Sequence, residues 1–326
     1  MFREDFVWGV ASSAYQVEGT DAADGRGACV WDMFAADGRV FEHQNADTSC
    51  DHMHHYKEDI ALMKHLGIRA YRFSLNWARI LPEGTGRVNE KAIAMYRDMI
   101  LTMKENGITP YLTLFHWEFP QALYERGGWQ NPDVVQWFGE YAKVVAENFS
   151  DICEYFITIN EPQCVVGLGH LSGAHAPGVK LPIAQTFLVA HHLLMAHGQA
   201  VINLRRYAVR PVKIGFAPTG GVAYPYTDRP EDIEAAKKVY FGFYNPIDNW
   251  TWNVSWFSDP VFLGHYPEEG LKKFAPYLPE ITQEDMELIY QPLDFMGQNI
   301  YNGYYVRAGA DGEPEFVDRA PGFPKT

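Results

Sequence analysis

The sequence of 326 residues is short of basic side chains: 27 Lys and Arg stand against 41 Asp and Glu, a formal net charge of −14. Such a balance repels phosphate backbones and anionic headgroups, which argues against nucleic acid and membrane surfaces as partners and favours a neutral ligand. The chain is also poor in cysteine. Its four thiols, Cys29, Cys50, Cys153 and Cys164, show no CxxC spacing and so fit neither a disulfide framework nor a closed zinc site. No basic segment followed by an apolar one opens the chain, and no apolar run is long enough to span a bilayer. A soluble, cytoplasmic protein with reduced thiols is expected. The sequence has no GxSxG and no P-loop, and no low-complexity tract or linker divides it, so one domain over residues 1–326 is the simplest organisation.

Apolar material is plentiful. Hydrophobic residues make up 47% of the chain, and an aromatic share of 15% is high enough for some rings to line a cleft, where sugars stack. Short apolar runs predict strands at 5–12, 69–77, 109–117, 155–160, 212–219 and 295–301. Between them the helical period returns. Ile60, Met63 and Leu66 share a face before Gly67; Ile93, Tyr96, Ile100 and Met103 share another before Gly107; and Asn131-Pro132 reads as N-cap and first turn of a third helix. The stretch 220–294 reads as a helix with an elaborated loop.

Strands joined by helices in this order predict a parallel sheet. Polar and aromatic residues (Gln16, Asn76-Trp77, His116-Trp117, Asn160-Glu161, Asn299, Tyr301) gather at the C-terminal ends of successive strands, the face where barrel enzymes keep their chemistry. The expected class is therefore α/β, a (β/α)8 TIM barrel. Only about the first six βα units are visible before the chain reaches APGFPKT, so the barrel domain is expected to be incomplete at its C-terminal side. Within it, EYFITINEPQ presents Glu161 beside Asn160 at the end of an apolar strand, with Pro162 stopping the ladder.

FVWGVASSAYQVEG, YRFSLNWARILP, LFHWEFPQAL, TINEP and DFMGQNIYNGYYV resemble, in order and spacing, the family 1 glycoside hydrolases, the β-glucosidase family. The resemblance runs along the whole chain. It implies a retaining β-glycosidase acting on β-glucosides or oligosaccharides without a cofactor, with Glu161 as acid/base and Asn160 on the sugar 2-hydroxyl. It also implies that Gln16, His116 and Trp117 line the sugar site, and that Arg72, Asn299 and Tyr301 orient a nucleophilic carboxylate. That nucleophile belongs to a Thr-Glu-Asn-Gly segment of the seventh strand, which this sequence does not contain. It is expected from a segment beyond residue 326 or from a complementary chain.

Other readings stand beside this one. Double displacement needs two carboxyl groups about 5 Å apart, and Glu118 and Glu18 are the residues available as a substitute second group. An inactive barrel fragment that binds sugar or a complementary chain is the alternative function. Gln16 and His116 also read as satisfied core polar groups, and Trp117 as packing. His52, His54 and His55 beside Asp51 suggest a metal-dependent hydrolase, although the spacing is that of a solvated helix start. His191, His192 and His197 fall on a helical period as packing or surface residues. GLGHLSG is one residue too long for a dinucleotide fingerprint.

Overall fold

A computed structural model describes residues 2–20, 24–244 and 246–317; the APGFPKT stretch lies outside them. Six parallel strands lie side by side in one sheet: β1 (Gly9–Ala11), β2 (Ala70–Ser74), β3 (Thr109–Phe115), β4 (Tyr155–Asn160), β5 (Lys213–Ala217) and β7 (Phe295–Met296). Each of the six expected strands has a counterpart in its expected order, but β1 covers only Gly9–Ala11 of the run expected over 5–12. Among the described residues β1 and β7 each pair on one side only. The curled parallel sheet is that of a (β/α)8 barrel.

Helices join the strands. α1 (Val30–Ala36) and α2 (His52–His65) lie between β1 and β2, α3 (Glu90–Glu105) between β2 and β3, α4 (Val134–Phe149) between β3 and β4, and α5 (Ile183–Tyr207) between β4 and β5. α4 shows why the sequence folds this way. Val134, Phe138, Tyr141, Val145 and Phe149 recur at helical spacing and are all buried. At the centre of the core Trp77 stacks on Tyr141 with ring centroids 5.0 Å apart, while its indole N–H donates to Gly84 O at 2.9 Å. A helix at Gln283–Ile289 packs so closely on α5 that a Cβ at Gly198 would lie 1.8 Å from Leu288 O.

The structure corrects three expectations. The third helix begins at Val134 rather than at Pro132: Asn131 Oδ1 accepts from Asp133 N at 2.9 Å and holds a turn ahead of the helix. The strand expected over 295–301 is confined to Phe295–Met296, with a lone bridge from Thr219 to Asn299. Pro218, opposite this stretch, has no N–H to give the ladder. The stretch 220–294 is more than a helix and a loop. It contributes β6 (Val222–Pro225), which pairs in parallel with β8 (Gly303–Ala308), while β8 pairs antiparallel with β9 (Pro314–Val317) in a second, three-stranded sheet. The helix Pro230–Phe241 packs on this sheet through Ala235, Ala236 and Val239 against Val306.

Among the described residues no helix is long and apolar enough to cross a membrane. His52, His54 and His55 pair with Asp59, Asp51 and Glu58, each at 2.6 Å. His191, His192 and His197 are all buried, packing residues rather than surface ones.

Candidate active site

β4 delivers the central pair. Asn160 is fully buried at the strand end, and Glu161, 5% exposed, follows in a left-handed conformation with φ 47° and ψ 67°. The turn is held by Glu161 N donating to Ala217 O of β5 at 2.7 Å. Pro162 then opens a short helical turn, Pro162–Cys164. A branch-free but substituted residue at positive φ is strained, and such strain persists only where neighbours over-determine it.

Those neighbours come from three other strand ends. Arg72, on β2, donates from Nη1 to Asn299 Oδ1 at 3.0 Å and from Nη2 to Asn160 Oδ1, and its Nε reaches Thr113 Oγ1 at 3.1 Å. Asn299 Nδ2 donates to Asn160 Oδ1 at 2.9 Å and to Glu161 Oε1 at 2.6 Å. From β3, His116 Nε2 accepts from Asn160 Nδ2 at 3.2 Å, and Trp117 Nε1 donates to Asn160 O at 3.0 Å. Burial, reinforced by the Arg72 charge, pushes the His116 pKa down to about 3, so the ring is neutral and can accept. Burial lowers the Arg72 pKa, and the Glu161 charge opposes that change. Trp117, like Glu161, has positive φ, 85°.

A cavity of about 410 Å³ opens beside this network, lined by Tyr15, Gln16, Trp31, His116, Trp117 and His175 among others. Gln16 is exposed into it, its Oε1 accepting from Ser13 Oγ at 2.7 Å. The structure thus brings Arg72, His116, Trp117, Asn160, Glu161 and Asn299 into one hydrogen-bonded cluster, with Gln16 across the cavity. Tyr301 stands apart, 84% exposed and without a hydrogen bond to the cluster.

Neither substitute carboxylate joins this cluster. Glu118 is 1% exposed, and its Oε1 accepts from Tyr15 N at 2.8 Å; burial pushes its pKa up to about 8. Glu18 is held by Arg79 Nε at 3.2 Å and Tyr96 OH at 2.8 Å. Two residues that sequence reasoning missed do reach the site. Cys164 Sγ lies 3.1 Å from Glu161 Oε2, a contact that the three-residue offset would have signalled had the helical turn been foreseen. His175 packs between Trp31 and Trp117 at centroid distances of 5.4 and 5.6 Å, and no sequence pattern marked it.

A carboxyl and an amide presented together at the C-terminal edge of a curled parallel sheet, over an aromatic hollow, form the active face of an α/β-barrel enzyme. Comparison with known proteins gives the same answer at higher resolution. The model of Glycosyl hydrolase family 1 matches residues 1–319, and the chain belongs to this family. It is 42% identical over 328 residues to the β-glucosidase A of Thermotoga maritima, covering 100% of this chain and 71% of that protein. The β-glucosidase A of Acetivibrio thermocellus is 40% identical over 318 residues, covering 97% of this chain and 68% of that protein. The fold matches the T. maritima β-glucosidase solved with glucoimidazole at a TM-score of 0.86 and 42% identity, covering 100% of this chain and 71% of that one.

Proposed function

We propose that the protein is a retaining β-glucosidase that hydrolyses terminal β-glucosides or related β-glycosides. Glu161 is the acid/base, and the nucleophilic carboxylate reaches the site from outside residues 1–326, completing a single barrel domain. The observation that carries this reading is Arg72. Its guanidinium is half-buried at a strand end, yet all its hydrogen bonds go to neutral amide and hydroxyl oxygens, and among the described residues it has no ion pair. A desolvated cation without an anion is costly. A carboxylate placed against Arg72 and Asn299 would remove that cost and would face the sugar carbon that Glu161 serves from the other side. Glu118 and Glu18 are engaged elsewhere. The relatives named β-glucosidases support the substrate class.

In this reading Glu161 protonates the leaving oxygen in the first step and deprotonates water in the second. Asn160, its Oδ1 occupied by Arg72 and Asn299, turns Nδ2 toward the sugar. Neutral His116, its Nε2 accepting from Asn160, is left with Nδ1–H, buried without a partner, to donate to a sugar hydroxyl oxygen; Gln16 Oε1 accepts from sugar hydroxyls, and Trp117 offers a ring face. The acidic charge and reduced cysteines support a cytoplasmic location. The same unpaired Arg72 also favours the second reading, a barrel that binds sugar or a complementary chain without catalysing.

A 2-deoxy-2-fluoro-β-glucoside with a dinitrophenyl leaving group separates the two. It traps the glycosyl intermediate, and peptide masses then locate the labelled carboxylate. A burst of dinitrophenolate, with label only on a complementing chain, is expected. Label on Glu118 or Glu18 would sink the supplied-nucleophile part. No burst with or without the complement would leave the sugar-binding reading.

A further inference from the structure

The Glu161 carboxyl is held at both oxygens. Asn299 Nδ2 donates to Oε1 at 2.6 Å, and Cys164 Sγ stands 3.1 Å from Oε2. The Cys164 contact is produced by the backbone. Cys164 N donates to Glu161 O at 3.0 Å, closing one helical turn that folds the side chain of the fourth residue back over the first. Cys164 is 7% exposed and Glu161 5% exposed, so water does not compete strongly for either group. Among the described residues the carboxyl has no other hydrogen-bond partner.

We propose that Cys164 is a positioning residue for Glu161, its thiol fixing the plane of the carboxyl so that the proton-carrying oxygen faces the leaving group. The proposal rests on the acid/base reading of Glu161. One donor leaves a carboxyl free to turn about its terminal torsion, which is broad and roughly two-fold; a second donor at the other oxygen removes that freedom. The chemistry of the thiol suits a group that must lose and regain its proton in each cycle. S–H is a weak donor and sulfur a weak acceptor, so the thiol steadies the ionised carboxylate without capturing the proton of the neutral acid. The thiol itself stays protonated: burial, then the adjacent Glu161 charge, pushes its pKa far above the usual thiol range. It can therefore donate throughout the working pH range, and it does not compete as a nucleophile.

Three variants separate positioning from packing. Cys164→Val keeps the bulk and loses the donor, Cys164→Ala loses both, and Cys164→Ser keeps a donor in a smaller side chain. Positioning predicts that Val and Ala lower kcat on alkyl β-glucosides by about three- to tenfold, the worth of one modest hydrogen bond. The first-step burst of nitrophenolate from nitrophenyl glucosides, which needs little protonation, should change less than twofold in these variants, roughly. Ser should recover most of the loss. If Val behaves as wild type while Ser is impaired, or if the nitrophenolate burst falls as much as the turnover of alkyl glucosides, the proposal is overturned.

A second measurement does not need turnover. Burial is the larger cause that holds the thiol protonated, and Glu161→Gln removes the second, the carboxylate charge, so alkylation of Cys164 by iodoacetamide at alkaline pH should quicken several-fold. Exposed Cys50 serves as the internal reference in the same peptide-mass experiment. Equal Cys164 rates in the two proteins, including no reaction in either, would overturn the contact. Absence of all glucosidase turnover together with the expected alkylation change would instead locate the failure in the acid/base reading.

Discussion

Asn299 and Glu161, 138 positions apart in the chain, are joined side chain to side chain at 2.6 Å. The same amide group also donates to Asn160, and the Asn299 carbonyl oxygen accepts from Arg72, so one residue connects the carboxyl, its neighbouring amide and the site's cation. Asn299→Ala should therefore lower kcat on alkyl glucosides by about 10²-fold, the lower range of an acid–base contribution. Stability should fall by only about 1–3 kcal/mol, the cost of buried groups left without partners. Steady-state kinetics and urea denaturation of the same preparation check both figures. A large loss of stability with proportionate loss of activity would reduce Asn299 to a structural residue.

Glu161→Gln keeps the shape of the side chain and removes its proton. Turnover of alkyl glucosides should drop by about 10²–10⁴-fold, whereas the first step on dinitrophenyl glucosides should persist, because only poor leaving groups need general acid help. Azide, a small anion that attacks without base assistance, should restore turnover of the activated substrates as a glycosyl azide. Equal losses on both substrate classes would exclude the acid role.

Glu118 gives a prediction in pH. Burial is the largest cause of its rise from 4.5 to about 8, opposed by the Tyr15 N–H and by Arg26, with Glu18 adding to it. Below pH 4.5 the folded and unfolded chains both hold the proton, and the full contribution to stability is present. Between pH 4.5 and about 8 the unfolded chain releases the proton while the folded one keeps it, so stability falls by up to about 1.4 kcal/mol per pH unit. Glu118→Gln removes this dependence. Its stability advantage over wild type should grow from pH 5 to pH 8 and then level off, as followed by chemical denaturation; parallel pH profiles would contradict it.

Gly198 tests the helix contact that supports the sheet from behind. With Leu288 O only 1.8 Å from the position a Cβ would take, Gly198→Ala must push backbone against backbone. A loss of at least about 1–3 kcal/mol is expected, as for overpacked cores. Thermal unfolding measures it, and an unchanged midpoint would show that the two helices separate freely.

The parallel strands were legible because each is an apolar, β-branched or aromatic run between turn residues, and parallel strands buried on both faces need no alternation. Their polar ends were legible for the same reason: Asn160 and Glu161 interrupt an otherwise apolar run. The second sheet was not. β8, GYYVRA, is exposed along most of its length, with only Val306 buried, and β6 is four residues ending on Pro225. Neither presents the pattern that marks a strand in sequence. In the site, Arg72, His116 and Trp117 could be placed by strand position, but Cys164 depends on a helical turn only three residues long, which no periodicity reveals. Tyr301 matched a motif, yet the backbone past Met296 leaves the ladder, and its ring points into solvent.

The left-handed backbone at Glu161 also bears on what its replacement would do. An L-residue at that φ is disfavoured by on the order of 1 kcal/mol, and glycine is not. Glu161→Gly would relieve the backbone, yet it would leave Asn299 Nδ2 and the Cys164 thiol without the carboxyl oxygens they meet, a cost of about 1–3 kcal/mol that is at least as large. The hydrogen bonds therefore hold this residue in place against its own backbone preference.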